Sequence, residues 1–234
     1  MELMKIQTFS GKIVLKTGLH IGCGDMEMKI GGTDQEVIKH PHTSDPYIPG
    51  SSLKGKVRAL LEMRSGLMAH SKGKPLSDNV IQNCQDNKQR TMGERIIRLF
   101  GTSGSTDEEN EKYGPTRVSF GDCMINTEWK AIATSNHWPM TEVKSENSIN
   151  RIKGTAEHPR FIERIPSGVK FDFSIRLKQF KGDTSFQLDH LLLEGLKLLS
   201  HDSLGGNGSR GYGQVFFEFS DKEYQDLFNK MKVS

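Results

Sequence analysis

Between residues 168 and 178 the chain alternates without a break. Val169, Phe171, Phe173, Ile175 and Leu177 are apolar, and Lys170, Asp172, Ser174, Arg176 and Lys178 between them are polar. A period of two places the two sets on opposite sides of an extended chain, so this segment is a strand with one buried and one solvated face. Such a strand belongs to an antiparallel sheet covered on one side only. Five other segments have a readable period. Residues 4–16 read as a strand leading into Gly18, with Ile13 and Leu15 on one face. Residues 51–64 read as a helix, with Leu53, Val57, Leu60 and Leu61 at helical spacing and Ser51 or Ser52 as its cap. Residues 117–125 and 212–219 read as strands, and 187–200 as a second helix through Leu188, Leu191, Leu192, Leu196 and Leu199. The order strand, helix, strand, strand, helix, strand is the α+β, ferredoxin-like βαββαβ plan, with two helices on one face of the sheet. A short helix over about 221–231 follows it.

Three stretches lie outside that plan: residues 17–50, residues 65–116 with a short helix around 93–100, and residues 126–167. Long excursions from a compact fold are usually functional, so the chemistry is sought there. A chain of 234 residues fits one large domain carrying insertions. Its 34% hydrophobic and 26% charged residues give it a core and exclude compositional disorder. A net charge of +3 is too mild to announce nucleic-acid binding, so any basic surface must come from local arrangement. No apolar run is long enough to span a bilayer, and the first residues lack the apolar core of a signal peptide. Cys23, Cys84 and Cys123 are widely spaced with no CxxC pair, which points to a reducing cytoplasm rather than to disulfides. His40, His42, His70 and Cys84 have no standard ligand spacing, so zinc is not expected.

Four segments carry candidate chemistry. Residues 205–213 hold five glycines around Ser209 and Arg210. Glycine lets backbone N–H groups approach an anion, and an arginine can clamp a phosphate. A plain turn needs fewer glycines, so a phosphate or RNA-backbone role is favoured; no Gly-Lys-Ser/Thr follows, so this is not a Walker loop. In IPGSSLKGKVR, residues 48–58, a helix N-terminus attracts phosphate. Lys54 and Arg58 share a face there, and Gly55 hints at a close backbone approach. An ordinary solvated basic face explains these residue types equally well. Residues 17–39 place Asp25 and Asp34 among glycines, where a carboxylate can hold a divalent ion against a phosphodiester or simply shape a turn. His20, at the end of the first strand, is open to a structural role, RNA contact or base catalysis. Residues 141–168 interleave Lys144, Arg151, Lys153, Arg160 and Arg164 with Ile149, Ile152, Phe161 and Ile162. That mixture suits a protruding element that grips or unstacks a nucleic acid, or a surface hairpin covering its own base.

The segments TGLHIG, GGTDQEVIK, YIPGSSLKGKVRALLE, RLFG, ENSINRI, HPRFIER and LGGNGSRGYGQV, taken in order, resemble the RAMP superfamily of CRISPR proteins. More narrowly, they resemble the repeating backbone subunit of type III-A (Csm) effector complexes. The likeness runs from about residue 10 to about 219. It implies a modified ferredoxin-like (RRM-like) core with a lid insertion near 65–116 and a thumb β-hairpin at roughly 141–168, all in one domain. It also implies copies stacked as a filament along a guide crRNA, with complementary target RNA and the large, small and end-capping subunits as partners. Residue by residue, Asp34 matches the aspartate that cleaves target RNA with a divalent metal such as Mg²⁺, and His20 matches the guide-binding histidine. Lys54, with Lys56 and Arg58, matches the basic helix. Asn147, Arg151, Arg160 and Arg164 fall on the thumb, and Ser209 and Arg210 on the loop that lines the guide backbone. The expected activity is an endoribonuclease that cuts target RNA at regular intervals, leaving a 2′,3′-cyclic phosphate. Two other readings stay open: a scaffold subunit without catalysis, and a metal-independent repeat-processing endoribonuclease with His20 as base.

Overall fold

The computed structural model describes residues 2–24, 35–102 and 111–232. Seven strands are named among them: β1 (Leu3–Leu15), β2 (Val118–Phe120), β3 (Met124–Ile125), β4 (Glu142–Ile149), β5 (Ala156–Arg164), β6 (Lys170–Phe180) and β7 (Val215–Phe219). The named helices are α1 (Gly50–Arg64), α2 (Asp78–Gln82), α3 (Asn87–Phe100), α4 (Thr127–Ser135), α5 (Leu188–His201) and α6 (Lys222–Lys230). The main sheet runs β2-β6-β1-β7, with β3 also paired to β6, and β4 and β5 form a separate two-stranded ribbon. Every named pairing in the main sheet is antiparallel. With β2 and β3 counted as one strand, this is the ferredoxin-like order.

The alternating segment becomes β6, and its apolar set is buried. Phe9, Ile13 and Leu15 of β1 bury on the same side, opposite Ile175, Phe171 and the Val169 carbonyl. Helices α1 and α5 cover that side. Their contact is tight because Gly195 of α5 lies against α1, where an added Cβ would stand 2.6 Å from Val57 Cγ1. Gly55, by contrast, faces open space, so no close approach explains it. At the far end Phe217, Phe219 and Phe228 form an aromatic group that ties α6 onto β7.

Three expectations need correction. The single strand over 117–125 is broken at residues 121–123. There Cys123 turns to pair with Ile48, and the Asp122 carboxylate accepts the Gly50 amide at 2.7 Å. The break therefore serves helix α1, whose first amide is satisfied by that carboxylate. Neither serine caps the helix: Pro49 is its N-cap residue, with no side-chain cap bond. In the insertion, α3 starts at Asn87 rather than near 93. Asp86 Oδ1 accepts the Lys88 and Gln89 amides at 2.8 and 3.0 Å and so defines the start.

A buried ion pair fixes the far side of the sheet. Arg117, just before β2, donates from Nε and Nη2 to the two oxygens of Asp183, each at 3.1 Å, and Asp183 also accepts the Phe180 amide at 3.0 Å. Burial pushes the Asp183 carboxyl up, but Arg117 and the Phe180 amide outweigh it and hold it below its usual 3.8. A depressed folded value means that the stabilisation is complete above the unfolded value and is lost as pH falls through the folded one. Asp183→Ala strands the guanidinium, and a loss of about 3–5 kcal/mol is expected for breaking a buried pair. Urea unfolding at pH 7 measures it, and the gap between variant and wild type should shrink below pH 4.

Candidate nucleic-acid interface

Asp34, the expected catalytic residue, lies outside the described residues, as does Asp25. The segments flanking that stretch are bonded to each other and to β5. Gly22 bridges Val37, and the Ile38 amide donates to the Ile21 carbonyl at 2.8 Å, so the two arms run side by side. Gln35, next to Asp34 in sequence, bridges Ile162 of β5, and its carbonyl accepts the Glu163 amide at 3.0 Å.

Glu163 is the centre of this clasp. Its carboxylate accepts the Val37 amide at 2.9 Å and Lys39 Nζ at 2.6 Å. Its carbonyl lies 2.7 Å from His20 Nδ1. A carbonyl can only accept, so Nδ1 carries the hydrogen and, in the neutral ring, Nε2 is left as an acceptor. Burial pushes the Glu163 carboxyl up, but the bonds from Lys39, Val37 and Thr141 outweigh it and hold it below its usual 4.5. His20 itself is buried, 7% exposed, between this clasp and the glycine-rich loop.

The glycines of residues 205–213 are set mainly by packing. Gly205 has φ +75°, and a Cβ there would lie 2.3 Å from the His20 carbonyl oxygen, which instead accepts the Gly206 amide at 2.9 Å. Gly213 has φ +73°, with the Leu204 carbonyl oxygen 1.9 Å from where a Cβ would stand. The glycines thus seat the loop on His20 and Leu204, while Gly205, Gly206, Gly211 and the Ser209 and Arg210 of the 3₁₀ turn Gly208–Arg210 are exposed.

The thumb segment forms the β4–β5 ribbon, whose root joins the body where Leu19 bridges Ile165. Midway along β4, Glu146 reaches the glycine-rich loop. Its carboxylate accepts Arg210 Nη1 and the Tyr212 hydroxyl, each at 2.8 Å. The buried Tyr212 ring carries two cations, Lys144 at 4.8 Å and Arg164 at 4.9 Å from its centre. Burial pushes the Glu146 carboxyl up, and the Tyr212 hydroxyl and the charges of Arg210 and Lys144 bring it below its usual value. Beside this tie, the register shifts between Glu146 and Ser148, and His158 sits at φ +54°. The kink opens a cleft of about 330 Å³ lined by Lys144, Glu146, Asn147, Ser148, His158, Arg160 and Arg210.

The candidate cations therefore fall into two groups. Arg210 is paired with Glu146, Arg164 Nε donates to Glu142 at 2.7 Å, and Lys56 pairs with Asp202 at 2.7 Å. Arg58 donates to Glu62 at 2.6 Å and to the Leu76 carbonyl at 3.0 Å, so it anchors the insertion to α1 rather than serving a free basic face. Arg151 and Arg160 are exposed on the thumb, and Ile152 at its turn is 97% exposed. Lys54 has no ion-pair partner among the described residues. Burial and the Arg58 charge lower its pKa, which makes it a cation short of an anion. Among the described residues no group of three His, Cys, Asp or Glu side chains converges as a metal site. Glu146, Glu163 and Tyr212 escape sequence reasoning. The available signal is an acid in each of two otherwise basic thumb segments, ENSINRI and HPRFIER, and an aromatic among the loop glycines.

A ferredoxin-like sheet with a separate two-stranded ribbon, joined through Glu163 to the loop after β1, is the frame of the class. The chain belongs to the RAMP superfamily, whose family model matches residues 12–216. Among curated proteins it is similar to the CRISPR system Cms endoribonuclease Csm3 of Methanothermobacter thermautotrophicus, with 37% identity over 93% of this chain and 86% of that protein. The protein of the same name from Streptococcus thermophilus is 38% identical over 93% of this chain and 89% of its own length. Among solved structures it is similar to the Csm3–Csm4 subcomplex of the type III-A CRISPR-Cas interference complex, at TM-score 0.52 and 27% identity over 97% of this chain and 85% of that one. The fold is also shared with Methanopyrus kandleri Csm3, at TM-score 0.59 and 23% identity over 94% and 76% of the two chains. No helix among the described residues is long and apolar enough to cross a membrane.

Glu163→Ala removes the acceptor of Lys39 and of the buried Val37 amide. Loss of about 1–3 kcal/mol is expected for such an orphaned donor. Hydrogen exchange at the Val37 amide should accelerate far more than at Phe171 in the sheet.

Proposed function

We propose that this chain is the repeating backbone subunit of a type III-A CRISPR ribonucleoprotein, which holds guide RNA and cuts complementary target RNA at regular intervals. The chain's membership of the RAMP superfamily and its likeness to the Csm3 endoribonucleases support the activity. The observation that carries the site is the clasp: Gln35, directly after Asp34, is fixed to the root of the thumb through Ile162 and Glu163. The residue proposed to cut and the element proposed to deform the RNA thus share one anchor. Partners follow from the same reading: guide crRNA, target RNA, further copies of this chain, and the large, small and end-capping subunits, in the cytoplasm.

Sequence selection falls to base pairing, so the protein works on backbone and shape. The thumb interrupts the duplex with its exposed Ile152 and the cations Arg151 and Arg160, and Asn147 lies beside the cleft. Lys54 and Ser209 are the groups proposed to meet the RNA backbone, while Arg210, held by Glu146, and His20, under the glycine-rich loop, shape the path. A nucleotide freed from the A-form stack can swing its 2′-oxygen in line with the adjacent phosphorus. The 2′-oxygen then bonds to phosphorus as its proton leaves, the bond to the 5′-oxygen breaks, and that oxygen takes up a proton. The products are a 2′,3′-cyclic phosphate and a 5′-hydroxyl. Asp34 is proposed as the catalytic carboxylate. A carboxylate is in general a poor base for a hydroxyl, which favours a role for Asp34 with a divalent ion such as Mg²⁺. When bound, such an ion stabilises charge on the phosphate. By the family match of its position, Asp34 would be the residue that holds it.

A reconstituted complex with a defined guide and labelled complementary RNA tests this. Asp34→Ala should lower cleavage at least about a hundredfold, on the scale of losing an electrostatic stabiliser, while binding stays within a few-fold, and EDTA should act like the substitution. Cuts that persist in the variant would remove Asp34 from the site and leave the chain a scaffold.

A further inference from the structure

We infer that Glu146 is a positioning residue that fixes the angle of the thumb, and hence the phosphate at which the RNA is cut. The inference rests on the proposed target cleavage. A two-stranded ribbon with no third strand is marginal on its own. Here β4 and β5 pair with each other and not with the main sheet. Below Glu146 the ribbon is anchored at its root through Ile162, Glu163 and Ile165 of the β5 side. Among the described residues, the side-chain bonds that tie β4 to the body are those of Glu146 to Arg210 and Tyr212, helped by Lys144 over the Tyr212 ring. Root and tie lie on different strands, and two separated anchors fix an orientation where one leaves a hinge.

The carboxylate suits this task better than a cation would. It accepts from a guanidinium and a phenol at once, and the ring behind it is fully buried and walled by Lys144 and Arg164. Both partners sit on the glycine-rich loop, which is itself seated on His20. The thumb is thus referenced to the same histidine that the clasp of Glu163 holds. From Glu146 to Asn150, where the ribbon turns, is four residues, about 13 Å at a strand rise of about 3.3 Å per residue. A tilt of about 15° at the tie would move the tip by about 3–4 Å, close to one nucleotide step of about 3.4 Å along a duplex strand. Loss of the tie would therefore displace the distortion by about one nucleotide.

The test scores cut positions at single-nucleotide resolution in the reconstituted complex, per molecule of target bound. Glu146→Ala should spread each cut, so that the two neighbouring phosphates rise from background to at least a tenth of the main product. Glu146→Gln, whose amide oxygen can accept from Arg210 while its NH2 donates to the Tyr212 hydroxyl, should restore most of the single-site pattern. Tyr212→Phe, which keeps the ring and removes one bond, should give an intermediate spread. A merely structural role would lower the amount of product and leave its positions alone. Unchanged positions in Glu146→Ala with normal wild-type cutting overturn the inference. Absence of any guided cut by wild type overturns the proposed cleavage and this inference with it. If Glu146→Ala fails to assemble, the Tyr212→Phe pattern decides, and single-site cutting there counts against the tie.

Discussion

Glu163 joins parts of the chain that sequence keeps far apart. Its amide and carbonyl, both main-chain groups, reach Gln35 and His20, and its side chain reaches Val37 and Lys39. All four bonds converge on one residue of β5. The outer ribbon is consequently continuous, in hydrogen-bonding terms, with the long loop after β1. The glycine-rich loop then docks on His20 from the other side through the Gly206 amide. Through these bonds the loop after β1, the ribbon and the glycine-rich loop form one surface.

That surface is basic, yet its order comes from acids. Glu142, Glu146 and Glu163 each hold a cation in place, and the cations they hold are Arg164, Arg210 and Lys39. The folded chain divides its positive charge into a group consumed in shaping the interface and a group left for a ligand. Lys54 belongs to the second group, since it is half-buried and without an ion-pair partner among the described residues. Ion pairs at a surface add little stability in themselves. Their effect here is geometric, because each fixes where a loop or strand meets its neighbour.

The sheet was readable in the sequence because its signals are local. A period of two in β6 and leucines at helical spacing in α1 and α5 each specify an element without reference to the rest. The main site segments were also placed, since glycines and charged residues cluster in them. The parts that escaped depend on contacts between distant residues. Asp122 satisfies the first amide of α1 from across 72 positions, and nothing in GDC says so. Arg58 reads as a free basic residue until Leu76 and Glu62 are seen to claim it. The loop glycines suggested anion binding by their number, whereas Gly205 and Gly213 answer to backbone oxygens pressed against them. Local pattern gives elements; the partners of polar groups require the fold.

Strand β1 has a consequence for how the chain comes to exist. It lies between β6 and β7, both made near the far end of the chain, with Ile13 opposite Phe171 on one side and Phe217 on the other. A strand made before both of its neighbours therefore waits for them to be paired. Until β6 and β7 emerge, its thirteen residues have both edges open. Contacts of such wide sequence separation close slowly. During synthesis this protein depends on its nascent strand staying unaggregated while everything between β1 and β6 is made.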